Sequence, residues 1–351
     1  MMLQGHFIDT LLAIEYRDPD NIAYSTWLYF RGITAPVFFT ISGLIFTYLL
    51  IKAKEKGTLS IRIRKGLVRG LMLIGIGYAL RIPIFRWLTG KFGTYFMVID
   101  VLQCIGLSLI LIVCIYLLAR KKTLIFSVVM LCLGTLIFLC EPLFRTYSAE
   151  RIPLFFANYL TKVNGSVFTI LPWFGYMAYG AFIATLFYGY LTRPKFKTGL
   201  ITGFFVTGLI LVYGSTPVFL ELAKLINWTL LTEVANFNYL FIRLGNVLVI
   251  FGLFYAFEDY LKQPVVLIIG QKTLSIYVIH FILLYGSFTG LGLNQILGKV
   301  LTPIEVVFGA ICFLVTVSLI SIYIIKANTH IYKYIIDKLH YLKSLTKFLN
   351  N

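Results

Sequence analysis

The chain reads as an all-α, polytopic integral membrane protein, a helical bundle of about ten transmembrane crossings. Three observations predict this. Of its 351 residues 59% are hydrophobic and only 13% are charged, about half the charge of an ordinary soluble domain. Its mean hydropathy is +0.88. Its Lys and Arg residues stand in short clusters between apolar runs, not along one face of a soluble surface. So much apolar surface exceeds what one core can bury and has to meet lipid. Aromatic residues, at 17%, suit a protein whose Tyr and Trp also settle at membrane interfaces.

The segments follow in order. Residues 1–16 are apolar but make only half to two-thirds of a span. They are expected to be the end of a helix that begins ahead of Met1, or a half-helix that dips into the membrane. Nine further spans, each near the length of about 20 residues that hydrocarbon requires, are expected at 28–51, 67–86, 97–119, 123–141, 168–191, 199–215, 239–258, 265–285 and 304–325. A loop at 52–69 carries Lys52, Lys54, Lys56, Arg62, Arg64, Lys65 and Arg69. Shorter basic clusters follow at 120–122, 193–197, Lys262 and the tail after 326. Ten crossings put all five clusters on one side, which the positive-inside rule makes the cytoplasm. Both termini fall there too, in what is expected to be a bacterial inner membrane. The stretch 216–238 is expected to hold an interfacial amphipathic helix. Residues 1–326 are expected to form the transmembrane domain and 327–351 a basic tail along the inner surface.

The net charge of +17 would also suit nucleic acid, but clusters between spans are a topology signal, and nucleic acid is excluded as a partner. Membrane lipid is the expected partner, and self-association is left open. Cys104, Cys114, Cys132, Cys140 and Cys312 all lie in apolar runs without metal or redox spacing, so free thiols are expected. No metal site is expected from His6, His280, His330 and His340.

Ionisable and polar groups in spans are costly in lipid and therefore candidates for function. The topology places His6, His280, Arg31, Arg81, Arg86, Asp100, Gln103, Arg243 and Asn246 in the outer half, around one polar cavity. Each has a structural reading beside the functional one. Asp100 suits a helix N-cap, Arg31 and Arg243 suit ion pairing with Asp100, and His280 suits an interhelical hydrogen bond. His6 is the sharpest candidate, because imidazole takes and returns a proton near neutrality; Gly5 beside it leaves room, and Asp9 lies one turn on.

Five stretches resemble, in order, the bacterial membrane acetyltransferases related to heparan-α-glucosaminide N-acetyltransferase, within the wider membrane acyltransferase superfamily. They are MMLQGHFID at 1–9, FRGITAPVFFTISG at 30–43, VIDVLQCIGLSLIL at 98–111, LPWFGYMAYGAFIA at 171–184 and GQKTLSIYVIHFILLY at 270–285. The last block is shared with the superfamily at large. The charged Asp–x–x–(Lys/Arg)–Gly element that usually precedes the first helix is missing from this sequence.

The resemblance implies transfer of an acetyl group from acetyl-CoA to an amino sugar or other glycan acceptor across the membrane. It makes His6 the active-site histidine and sets Asp100, Gln103, Trp173 and His280 on motif positions. On that reading His6 is a general base or acetyl carrier, oriented by Asp100 or Asp9. Arg31, Gln103 or Asn246 steady the oxyanion, Trp173 and Arg243 line the acceptor's site, and Arg62, Arg64 and Lys65 meet the phosphates of acetyl-CoA. Two alternatives stand beside it: O-acylation of a cell-envelope polysaccharide, and a non-enzymatic transporter or flippase using His6, Asp100 and Arg243 as its path.

Overall fold

The structure, a computed structural model, describes residues 1–323. The tail expected at 327–351, with His330 and His340, lies outside the described residues. The fold is 78% helical, with no strand among the described residues. Two compact units form among the described residues, one from residues 20–258 and the other from residues 1–19 with residues 259–323.

In the larger unit the 34-residue helix Ile22–Glu55 starts at Asn21, whose side chain accepts from the amides of Ala23 and Tyr24, a standard cap for helix-end donors. Pro36 lies inside this helix, and the Thr40 hydroxyl donates to the Pro36 carbonyl at 2.8 Å. The helix crosses Ile170–Tyr190 at two glycines. A Cβ at Gly43 would collide with the Met177 carbonyl oxygen, and one at Gly180 with that of Thr40. Small residues at such crossings let membrane helices approach backbone to backbone. Gly180→Ala is accordingly expected to destabilise the bundle by about 1–3 kcal/mol, read as a lower unfolding midpoint in detergent; an unchanged midpoint would show that the crossing can open at no cost.

The same device joins Leu59–Ala79 to Val101–Leu118 through Gly70 and Gly106. It also joins the helix Phe196–Ile226, which contains a π-helical turn at Ile210–Gly214, to Tyr239–Ala256 through Gly208 and Gly245.

In the smaller unit the 10-residue helix Met2–Leu11 packs on Pro303–Tyr323, where Phe7 meets Phe313 with ring centroids 5.1 Å apart and lies over Gly309. The chain after the first helix pairs with Leu301: the Ala13 amide donates to the Leu301 carbonyl and the Leu301 amide to that of Leu11, both at 3.0 Å. Arg17 folds back, donating to the carbonyls of Asp9 at 2.8 Å and Leu12 at 2.8 and 3.1 Å.

Six helices among the described residues are long and apolar enough to span a membrane: Ile22–Glu55, Thr94–Leu118, Ile170–Tyr190, Phe196–Ile226, Tyr239–Ala256 and Pro303–Tyr323. Pro264–Gln271 and Thr273–Tyr285 together make a seventh, bent by 65°. The other expected crossings are also helices: Met2–Leu11, the 21-residue Leu59–Ala79 and the 17-residue Thr123–Leu139. Two expectations need correction. The basic stretch 52–69 is mostly helix and not a loop, because the second helix runs on to Glu55 and the third begins at Leu59. The span expected at 265–285 is broken at Lys272, where two polar residues, Gln271 and Lys272, interrupt the apolar run.

Candidate active site

Two histidines distant in sequence meet in the smaller unit. His6 sits half-buried on the first helix and His280 fully buried on Thr273–Tyr285. Their imidazoles stack with centroids 5.2 Å apart and planes 29° from parallel. His6 Nδ1 lies 3.1 Å from the Tyr285 hydroxyl, which also accepts from the buried Thr10 hydroxyl at 3.4 Å. Thr10 is four residues from His6 and so on the same helix face. His280 Nδ1 lies 3.3 Å from the Ile276 carbonyl. A carbonyl only accepts, so this bond requires the proton on Nδ1 and leaves the lone pair of neutral His280 on Nε2.

The Tyr285 oxygen can serve His6 as acceptor or donor. As acceptor it fixes the proton on Nδ1 and directs the basic lone pair of His6 to Nε2. Asp9, one of the groups expected to orient the imidazole, instead faces Arg17 at 3.9 Å. Tyr285 and Thr10 were not singled out by the sequence. Tyr285 stands 279 positions from His6, among 23 tyrosines in the chain.

The other candidates belong to the larger unit. Asp100 is the N-cap of Val101–Leu118 in a capping box with Gln103: Asp100 Oδ1 accepts from the Val101 amide at 2.8 Å, and Gln103 Oε1 from the Asp100 amide at 3.2 Å. Asp100 Oδ2 accepts from Arg81 at 2.7 Å, so Arg81 is its partner where Arg31 and Arg243 had been expected. Gln103 is fully buried and packs against Gly77. Its amide is spent on the cap and on that packing, which gives it a structural task.

Arg243 donates to the Tyr29 carbonyl at 2.8 Å and lies over its ring. Asn246 accepts from the Tyr29 hydroxyl at 2.7 Å. Arg31 stacks on Trp27. Trp173 sits among Phe39, Phe168 and Tyr176, with centroids 4.7–5.7 Å apart, and its buried indole N–H finds no partner among the described residues. Arg62, Arg64 and Lys65 lie in the first turns of Leu59–Ala79, Arg64 and Lys65 exposed and Arg62 half-buried over the Phe46 ring. The buried Arg62 Nε–H has no partner among the described residues.

A cavity of about 200 Å³ opens in this unit beside Glu141, Arg145 and Lys162, past the end of the helix Thr123–Leu139. Burial pushes the Glu141 carboxyl above its ordinary range, against the pull of Arg145 and Lys162. Partial desolvation lowers Lys162, which is nonetheless exposed, and Glu141 raises it back. No group of three or more His, Cys, Asp or Glu gathers as a metal site among the described residues.

A helical bundle with several membrane-spanning helices, in which two imidazoles stack, belongs in the class of polytopic membrane proteins. Residues 1–223 match the family described as heparan-alpha-glucosaminide N-acetyltransferase, catalytic, and the chain belongs to that family. The match takes in His6, Arg31, Asp100, Gln103 and Trp173, and ends before Arg243, Asn246 and His280. No curated protein and no solved structure matches the chain.

Proposed function

We propose that this protein transfers an acetyl group from acetyl-CoA to an amino sugar or other glycan acceptor across a bacterial inner membrane, with His6 as the reacting side chain. The observation that carries this reading is the hydrogen bond that holds His6 Nδ1 on Tyr285, in a chain whose family match begins at residue 1. With the Nδ1 proton donated to Tyr285, Nε2 of His6 carries the lone pair.

As an acetyl carrier, Nε2 attacks the thioester carbonyl. The N–C bond forms, the C–S bond breaks and CoA departs as its thiolate, which takes up the proton that the acceptor amine releases in the next step. The acceptor amine then displaces the imidazole and gives up that proton through it. As a general base, Nε2 removes that proton while the acceptor attacks the thioester directly; the C–S bond then breaks and the imidazolium hands the proton to the departing CoA thiolate. In either route the imidazolium or acetylimidazolium keeps Nδ1–H on the Tyr285 oxygen, and this bond strengthens as charge develops.

Acetyl-CoA supplies the activated acyl group. The cations Arg62, Arg64 and Lys65 would meet its phosphates, and the unpartnered Nε–H of Arg62 supports that assignment. The basic clusters support a cytoplasmic face for these residues, with both chain termini on the same side.

The test is consumption of acetyl-CoA by the purified chain with glucosamine as acceptor, with the product examined by mass spectrometry. An alkali-stable amide is expected; an alkali-labile ester would show O-acylation instead. Tyr285→Phe is expected to lower kcat by about tenfold to a hundredfold, the worth of one hydrogen bond to a charged group, with KM little changed. A KM effect with kcat intact would place Tyr285 in substrate binding instead.

A further inference from the structure

Glu141 is 8% exposed. Its carboxylate receives no hydrogen bond among the described residues, and its nearest cation, Arg145, stands at 3.9 Å. A carboxylate so enclosed is costly unless donors reach it, and the space beside it is the cavity of about 200 Å³ that it lines with Arg145, Lys162, Phe144, Leu171 and Phe237. Arg145 is held at the side by its own stacking over the Phe237 ring, centroid distance 4.5 Å. The ammonium of Lys162, an exposed residue at the cavity's edge, makes no hydrogen bond or ion pair among the described residues, so its donors, like the Glu141 acceptors, are uncommitted to protein there.

The chemistry of the lining selects the ligand. A lone cation meets Arg145 and Lys162, and a lone anion meets Glu141. A group that donates and accepts at once satisfies both signs. Hydroxyls on neighbouring carbons do this, one donating to the carboxylate and the next accepting from the ammonium. Phe144 and Leu171 offer an apolar surface for the C–H face of the ring that carries them. The volume suits a single ring and falls below the range of drug-sized sites.

We propose that this cavity binds one neutral sugar ring through its hydroxyl groups, Glu141 accepting and Lys162 donating. The site stands on its own geometry and requires nothing of His6.

The experiment uses the full chain in a non-glycosidic detergent, with methyl β-glucoside as probe and acetate and methylammonium as ionic controls, read by saturation-transfer NMR and titration. Methyl β-glucoside is expected to bind and the two ions are not. Glu141→Gln keeps the shape but removes the charged acceptor, and is expected to weaken binding at least about tenfold. Its thermal midpoint should stay level or rise, since the substitution removes an enclosed charge. Lys162→Met, away from that enclosed position, is expected to weaken binding as well and serves if Glu141→Gln does not fold. The proposal is overturned if the glucoside fails to bind, if it binds both variants as it binds the native chain, or if either ion binds in its place. Loss of acetyl transfer in a His6 variant with glucoside binding intact would leave this site standing, so the two readings fail separately.

Discussion

His6→Ala is expected to abolish transfer, with kcat falling by about 10²–10⁴, the usual worth of a positioned proton-transfer group. The loss is at the upper end if His6 carries the acetyl group, because the two-step route then closes altogether. The same variant should fold: His6 is half-buried, and the helix beneath it is fixed by Phe7 and by the Arg17 bonds to Asp9 and Leu12. A midpoint near that of the native chain with activity gone is the result that supports the assignment. Full turnover in His6→Ala would sink it. His280→Ala is the informative companion, since it removes the stacked ring while keeping Tyr285 on His6. A partial loss there and a complete loss at His6 would rank the two imidazoles.

The second large effect is on stability. Arg81 and Asp100 face each other at 2.7 Å with side chains only 6% and 14% exposed. Breaking such a pair from one side leaves a buried charge uncompensated and costs about 3–5 kcal/mol. Arg81→Met is therefore expected to lower the unfolding midpoint by on the order of 10 °C, measured in detergent by loss of monodisperse protein on heating. Asp100→Asn retains the helix cap but strands the guanidinium and should cost a similar amount. The double variant should recover much of the loss, because no charge is then left behind. If the single variants are as stable as the native chain, the pair is solvated and its burial has been misread.

The residues that were legible in the sequence share a property: their evidence is local. Asp100 at the start of an apolar run suits an N-cap, and the structure contains that cap, whereas Gln103, expected to steady the oxyanion, turns out to be its reciprocal partner. The spans at 168–191 and 239–258 end within two residues of the helices Ile170–Tyr190 and Tyr239–Ala256. Where local cues compete, the reading slips. Arg62, Arg64 and Lys65 look like loop charges, yet Leu59–Ala79 takes them into its first turns, since their long stems tolerate helix well. The break at Lys272 is hidden within apolar sequence on both sides. His6 and His280 were found by their cost in lipid, but their meeting depends on how distant helices pack. Tyr285 was invisible for the same reason, since nothing in a tyrosine's neighbours announces a partner 279 residues away. Glu141 was passed over because a carboxylate at the end of a span looks ordinary until its surroundings prove dry.

The closure of the chain between Leu11 and Arg17 bears on how long a reactive species could survive there. Helix ends ordinarily recruit solvent to their last carbonyls. Here a guanidinium occupies those of Asp9 and Leu12, and a short backbone exchange with Leu301 occupies that of Leu11 and the amide of Ala13. An acyl group on imidazole is lost quickly to water. These four main-chain groups near His6 therefore call for no water of their own, which would lessen the solvent available to an acetyl held on that ring.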